Sequence, residues 1–177
     1  IGVNVHPGDY VLAIDGEDLA ANDNPYRLLR HKADRPVRMT VNAKPTLDGA
    51  REITFRPIGT EEHLIYLDWV NGNREKVAKM SGGRIGYIHI PDMGEDGMRE
   101  FVKWYFGQIR KEGLIVDVRY NGGGFIPDRM VALLSRPLLN YFVGRGGVAN
   151  PTPGFANNGP KVALINGQAG SGGDAFP

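Results

Sequence analysis

The 177-residue chain contains no cysteine. This absence excludes disulfide bonds, thiolate metal sites and a cysteine nucleophile, because each of these needs a thiol side chain. It does not assign a compartment, since thiol-free proteins occur in the cytosol and in the periplasm. The chain also lacks a run of the roughly 18 apolar residues that a membrane-spanning helix needs. We therefore expect no membrane as a partner.

A strong excess of charge of one sign is missing as well. Lysine and arginine number 21 and aspartate and glutamate 20, which leaves a formal net charge of +1. Nucleic-acid-binding domains usually carry a basic stripe interleaved with aromatic residues, and the sequence shows no such stripe. We therefore expect no nucleic acid partner. The chain does have 41% hydrophobic residues, which is enough for one large globular domain or two small ones.

The first half of the sequence predicts a small β-rich module. Short runs rich in β-branched and aromatic residues alternate with turn residues, and a helix is predicted behind Asn24 and Pro25; the runs are "DYVLAIDG", "PVRMTVN" and "REITFRPI". We place this module at residues 1–58 and a connector at residues 59–83. Asn71 and Gly72 interrupt the connector, so a strand followed by a helix is an alternative to one helix.

The second half, residues 84–177, alternates apolar strands with amphipathic helices. The predicted strands are "RIGYIHI", "LIVDV" and "KVALI", and the predicted helices are "EDGMREFVKWYFGQIRKEG", which we expect to end at Gly113, and "PDRMVALLSR". Such alternation is typical of parallel strands joined by crossover helices. The fold class predicted for this half is α/β.

Two glycine-rich stretches directly follow buried strands. "NGGGF" comes after "LIVDVRY", and "NGQAGSGGD" comes after "KVALI". Both are therefore expected at the carboxyl ends of parallel strands, where open sheets build their sites. A serine on such a turn, Ser171, presents its hydroxyl above the sheet beside N–H groups that no side chain shields. Together the stretches predict a nucleophile and an oxyanion hole.

Two other interpretations of these stretches must be weighed. A phosphate-binding loop uses the same bare amides, but Asp174 stands where such a loop has its lysine and would repel phosphate. A purely structural interpretation makes both stretches tight turns and Ser171 a helix cap. The local pattern alone favours this structural interpretation.

A family resemblance changes that balance. "GRIGYIHIPDMGEDGM", "IVDVRYNGGGF" and "GPKVALINGQAGSGGDAF" resemble the core domain of the tricorn proteases, relatives of the carboxyl-terminal processing proteases. "GVNVHPGDYVLAIDGEDL" resembles the latter part of the PDZ domain that precedes that core. The resemblance implies an N-terminally truncated PDZ-like domain at residues 1–58 and an α/β, ClpP/crotonase-like serine protease core at residues 84–177, truncated at its C-terminus.

The resemblance also implies roles for individual residues. Ser171 would be the nucleophile, Gly172 one oxyanion donor, and either Gly123 or Gly124 the second donor. The stretch "RYNGGG" lacks the proline that processing proteases usually have in this motif, and "AGSGGD" is closer to the tricorn pattern.

The general base is expected outside this chain, because tricorn proteases draw a histidine from a domain before the PDZ domain. The chain alone is then expected to be inactive. Of its four histidines, His6, His31 and His63 are interpreted as surface residues. His89, at the end of a predicted strand, is interpreted as a hydrogen-bonded strand residue, with a position in the cleft as the alternative.

The function implied by the resemblance is hydrolysis of oligopeptides by a serine peptidase. It implies no metal and no organic cofactor, and it places the protein in the cytoplasm as a homo-oligomer. The alternative is a non-catalytic module that binds peptide or lipid on the same core fold, as in retinoid-binding repeats that share it. The bare glycine loops argue against that alternative, because a binding module does not need a hydroxyl ringed by amides.

Overall fold

The structure is a computed structural model that describes residues 3–177. Ile1 and Gly2, with which the predicted 1–58 domain begins, lie outside the described residues. The chain divides into two compact units, one ending at Ile65 and the other running from Tyr66 to Pro177.

The first unit is built around an antiparallel sheet. Its elements are β1 (Tyr10–Ile14), β2 (Glu17–Asp18), α1 (Tyr26–Leu29), β3 (Val37–Asn42) and β4 (Arg51–Phe55), and the strand order is β2-β1-β3-β4. Asp15 and Gly16 turn the chain between β1 and β2 with φ values of 52° and 81°. Two positive φ values are what a two-residue hairpin turn needs, and an Asp-Gly pair adopts them with little strain.

Helix α1 is shorter than the run "NPYRLLRHK", over which the sequence predicts a helix. Asn24 Oδ1 accepts a hydrogen bond from Tyr26 N–H at 3.0 Å, so the predicted start is close to the observed one. The chain then leaves the helix at Arg30, and His31 takes a positive φ of 59°. A left-handed residue ends a right-handed helix, so only one turn forms.

The connector forms one continuous helix, α2 (Glu62–Ser81), which passes through Asn71 and Gly72. The alternative of a strand followed by a helix is therefore wrong. A single glycine costs a helix only about 1 kcal/mol relative to alanine, which the other nineteen positions can offset. The helix ends at Ser81, and the two residues that follow it, Gly82 and Gly83, both have positive φ.

The second unit contains a parallel three-stranded sheet. Its elements after α2 are β5 (Ile85–His89), α3 (Glu95–Gly107), β6 (Gly113–Asp117), α4 (Pro127–Leu134), β7 (Asn140–Val143), β8 (Ala149–Thr152), β9 (Lys161–Leu164) and α5 (Gly172–Ala175). The strand order is β5-β6-β9, and β7 pairs with β8 as a separate hairpin. Helix α3 stops at Gly107, six residues before the predicted end, and Gly113 begins β6 instead.

The register of the parallel sheet places the ends of its strands side by side. His89 of β5 pairs with Asp117 of β6, and Asp117 pairs with Leu164 of β9. The loops that follow these three residues therefore leave the sheet from the same edge. Beneath them the core is apolar, with Ile88, Leu114, Val116, Phe101 and Met130 buried.

Candidate active site

Both glycine-rich stretches lie at this edge of the sheet. The first glycine loop, residues 119–125, follows β6, and the second glycine loop, residues 165–171, follows β9. Two hydrogen bonds join them: Gly170 N–H donates to Asn121 O at 3.1 Å, and Tyr120 N–H donates to Asn166 Oδ1 at 3.0 Å. The structure therefore brings the two predicted motifs together.

The loops approach so closely that side chains would not fit between them. A Cβ atom on Gly123 would lie 2.7 Å from Ser171 Cβ, and one on Gly172 would collide with the carbonyl oxygen of Gly124. A Cβ atom on Gly124 would collide with the carbonyl group of Met93. Bare backbone at these three glycines is thus a requirement of the packing.

Ser171 stands where the second glycine loop turns into α5. It is exposed and has a φ of 55°, a conformation that residues with a Cβ rarely adopt. Its hydroxyl does not cap α5 and makes no hydrogen bond within residues 3–177. The interpretation of Ser171 as a helix cap is not supported, whereas an exposed hydroxyl on a strained strand-to-helix turn is typical of a nucleophile.

The amides around Ser171 fall into two groups. Gly123 N–H already donates to Asn121 Oδ1 at 2.8 Å. Gly124 N–H and Gly172 N–H, by contrast, make no hydrogen bond to any of the residues that the structure describes. The sequence left Gly123 and Gly124 as alternatives; the hydrogen bonds favour Gly124 as the amide that is free to bind a ligand atom.

Asn121 stabilises the conformation of the two glycine loops. Its side chain is fully buried, its Nδ2 donates to Ile90 O at 2.9 Å, and its Oδ1 accepts from Gly123 N–H. Its backbone oxygen accepts from Gly170 N–H. The sequence predicts no role for Asn121, although an asparagine that opens a glycine run after an apolar strand is the signal that could have found it.

Comparison with known proteins identifies the fold around this site. The family model described as "Peptidase family S41" matches residues 84–177, and "Tricorn protease PDZ domain" matches residues 1–60. The chain belongs to peptidase family S41. The predicted resemblance to the tricorn proteases and the predicted fold class, a PDZ-like domain followed by an α/β protease core, are confirmed.

Individual relatives agree with this assignment. The chain is 37% identical to the tricorn protease of Thermoplasma acidophilum over 173 residues, which are 97% of this chain and 16% of the relative. It is 40% identical to a tricorn protease homolog of Saccharolobus solfataricus over 176 residues, 99% of this chain and 16% of the relative. The crystal structure of the tricorn protease superposes with a TM-score of 0.84 at 38% identity, over 96% of this chain and 16% of that one. The chain thus spans about a sixth of the length of these relatives.

A buried ionic group supports the first glycine loop of the S41 core. Asp117 is fully buried and accepts hydrogen bonds from Arg119 Nε at 2.9 Å and from Tyr87 Oη at 2.6 Å. Burial alone would raise the pKa of Asp117, but the hydrogen bonds from Arg119 and Tyr87 outweigh it and hold the pKa below its usual range. The ion pair therefore anchors the start of the loop at the end of β6.

His89 is the one histidine in the sequence of the second unit, and it is a structural residue. Its Nε2 lies 3.0 Å from Arg119 O and its Nδ1 lies 3.1 Å from Tyr66 Oη. The residue is only 3% exposed, and its ring packs edge-on against Trp69 with the ring centroids 4.9 Å apart. Burial lowers the pKa of His89. Both ring nitrogens have partners, which supports the interpretation as a hydrogen-bonded strand residue and not as a base for Ser171.

Among residues 3–177, no group of three histidine, cysteine, aspartate or glutamate side chains is arranged to hold a metal ion. No helix in that range is both long enough and apolar enough to cross a membrane.

Proposed function

We propose that this S41 core is the nucleophile-bearing part of a serine peptidase that hydrolyses oligopeptides. The observation that carries the proposal is the grouping of one exposed, unpartnered hydroxyl, that of Ser171, with two unpartnered amides, those of Gly172 and Gly124. Amides that point at developing negative charge, and that need no rearrangement to do so, are the usual means of stabilising a tetrahedral intermediate.

In the proposed reaction, Ser171 Oγ attacks the carbonyl carbon of the scissile peptide bond and gives its proton to a general base. The carbonyl oxygen becomes an oxyanion that accepts hydrogen bonds from Gly172 N–H and Gly124 N–H. The intermediate collapses when the leaving amine takes up the proton, and a water molecule then hydrolyses the acyl-enzyme. Gly123 has a different role in this proposal: its N–H is committed to Asn121 and so fixes the orientation of the next peptide unit.

We infer that the general base comes from a part of the protein outside residues 1–177. Within the described second unit, the only histidine is occupied on both ring nitrogens. Lys161 and Lys111 are bound to backbone carbonyl groups, those of Asn157 and Gly83. A serine hydroxyl without a positioned base is a weak nucleophile at neutral pH, so the 177-residue chain alone would be inactive.

The relatives are named as tricorn proteases, which supports proteolysis, and the remaining parts of the proposal follow from the family resemblance of the sequence alone. They are that the substrates are oligopeptides, that the complete protein is a cytoplasmic homo-oligomer, and that neither a metal nor a cofactor takes part. A non-catalytic peptide- or lipid-binding role would not explain why a strained turn exposes a hydroxyl beside two free amides.

The test is Ser171→Ala in the complete protein, assayed on a panel of short peptides. We expect turnover to fall by a factor on the order of 10⁶, because the hydroxyl is needed for the chemical step. Ser135→Ala is the matched control, since Ser135 is an exposed serine at the end of α4. Continued cleavage by Ser171→Ala would refute the assignment of the nucleophile.

A further inference from the structure

An apolar cavity opens beside the first glycine loop. Its volume is about 650 Å³, and its apolar walls are formed by Met93, Met98, Phe125, Ile126 and the backbone of Gly124. We call it the Phe125 cavity. Phe125 is fully exposed, and exposed aromatic surface often marks a binding site.

The charges at the rim do not select an ionic ligand. Arg99 is already paired with Asp96 at 2.7 Å, and Glu95 and Arg129, which carry opposite charges, both line the cavity. Two cations and two anions at or near the rim largely cancel, so the free energy of binding must come mainly from the apolar walls. Met98 is the partly exposed methionine of this wall, and a flexible methionine side chain adapts its shape to different apolar groups.

Gly124 connects this cavity to the proposed chemistry. Its N–H is one of the two unpartnered amides next to Ser171, and its backbone is also part of the cavity wall. Consecutive Cα atoms are only about 3.8 Å apart, so the side chains that flank a scissile carbonyl group bound to Gly124 N–H lie within reach of the cavity. The occupant that the geometry favours is therefore a side chain of the substrate itself.

We propose that the Phe125 cavity is a specificity subsite that accepts a large apolar side chain, such as leucine, methionine or phenylalanine, from a residue flanking the scissile bond. The inference rests on the proposed function and names the substrate class of the same site. The side chain packs between Met98 and Phe125, and Phe125 becomes covered when the substrate binds.

The experiment uses the complete protein and peptides that differ only by alanine, leucine, phenylalanine or glutamate at one position, placed in turn on each side of the scissile bond. The variant is Phe125→Ala, because a fully exposed side chain can be removed with little effect on folding. The matched control is Phe155→Ala, an exposed phenylalanine that does not line the cavity. Affinities are also measured with Ser171→Ala, so that one readout does not depend on catalysis.

We expect wild type and Phe155→Ala to prefer leucine and phenylalanine over alanine at one of the two positions. Phe125→Ala should lower that preference by about 10-fold in kcat/KM and in peptide affinity, the order that apolar pockets achieve between side chains of different size. A preference in peptide affinity that depends on Phe125 would support the subsite, whether or not Ser171→Ala still cleaves peptides. Cleavage by Ser171→Ala would refute only the proposed nucleophile.

Three outcomes would overturn the subsite while leaving the proposed function intact. The first is an unchanged leucine-to-alanine ratio in Phe125→Ala. The second is a preference for glutamate that disappears in Arg129→Gln. The third is a change of oligomeric state in Phe125→Ala without any change in substrate preference, which would assign the cavity to contacts between subunits.

Discussion

At the residue scale, Asn121 determines which amide of the first glycine loop is free. Its Oδ1 occupies Gly123 N–H, its Nδ2 is tied to Ile90 O, and its backbone oxygen holds Gly170. The first bond lies within the first glycine loop. The second ties this loop to Ile90, the residue after β5, and the third ties it to the second glycine loop. Asn121 is thus a positioning residue, which does not itself contact substrate in the proposed mechanism.

We predict that Asn121→Ala lowers both stability and turnover. The change leaves the buried Ile90 carbonyl without its donor, which costs about 1–3 kcal/mol of unfolding free energy. It also frees Gly123 and loosens the loop that orients Gly124, so kcat should fall more than KM rises. The measurements are chemical denaturation and steady-state kinetics on the complete protein.

Asn157 provides the control for this prediction. It is 1% exposed, and its side chain likewise bridges backbone groups, accepting from Gly159 N–H and donating to Ile109 O and Lys111 O. Asn157→Ala should lose a similar amount of stability and keep the kcat of the folded fraction. Equal kinetic effects of the two variants would reduce Asn121 to a structural role.

The residues of the site differ in how far the sequence predicts them. Ser171 and Gly172 follow from the family resemblance, and their placement beside the first glycine loop follows from the order of apolar strands and glycine runs. Gly123 and Gly124 remain equivalent in the sequence because both are glycines in one run. Only the side-chain bond from Asn121, which depends on the folded loop, distinguishes them.

At the scale of elements, the strands were predicted better than the helix boundaries. Strands β5 and β6 are buried apolar runs, as predicted. Strand β9 forms where "KVALI" predicts it, but the prediction that it is buried is wrong, because β9 lies at the edge of the three-stranded sheet and Val162 is 56% exposed. Helix boundaries depend on weaker signals. Gly72 predicts an interruption that α2 does not have, and Gly113 is predicted as the end of α3, which stops at Gly107. Ile109 packs against the core from the turn after the helix.

The two glycine loops pack against each other at some glycines and not at others. Substitutions of neighbouring glycines are therefore expected to change turnover by different amounts. Gly124 has a φ of 143°, and its Cβ would meet the Met93 carbonyl group, so Gly124→Ala must move the proposed donor. We expect turnover to fall by about 10²–10³, the usual cost of losing one oxyanion donor. The measurement is kcat in the complete protein.

Gly122 and Gly16 serve as controls for that loss. A Cβ on Gly122 meets nothing within 4 Å, so Gly122→Ala should keep nearly full turnover. Gly16 has a φ of 81° in the turn between β1 and β2, so Gly16→Ala should lower the stability of the first unit and leave kcat of the folded fraction unchanged. If Gly122→Ala and Gly124→Ala were equally impaired, Gly124 would not be the donor.

At the scale of the whole molecule, the proposed site is incomplete within this chain. The second unit supplies the hydroxyl and both amides, and its single histidine is buried and hydrogen-bonded at both nitrogens. We predict that the 177-residue chain, produced alone, folds without detectable peptide hydrolysis. The check is a peptide assay on the isolated chain, with circular dichroism and thermal unfolding to establish that it is folded.

If the isolated chain hydrolyses peptides, the variant His89→Ala tests whether His89 is the general base. If the chain hydrolyses peptides and this variant does not, then His89 leaves its buried position to serve Ser171, and the proposal of a base outside the chain is wrong. If the isolated chain is inactive and peptide hydrolysis returns when the rest of the protein is added, the general base for Ser171 lies in the added part.

The most direct test of the nucleophile is covalent labelling of the complete protein with a fluorophosphonate, followed by peptide mapping by mass spectrometry. The reagent phosphonylates an activated serine hydroxyl, so the account predicts one adduct on Ser171, absent from Ser171→Ala and retained in Ser135→Ala. An adduct on another residue in a protein that hydrolyses peptides, with Ser171 unmodified, would contradict the account.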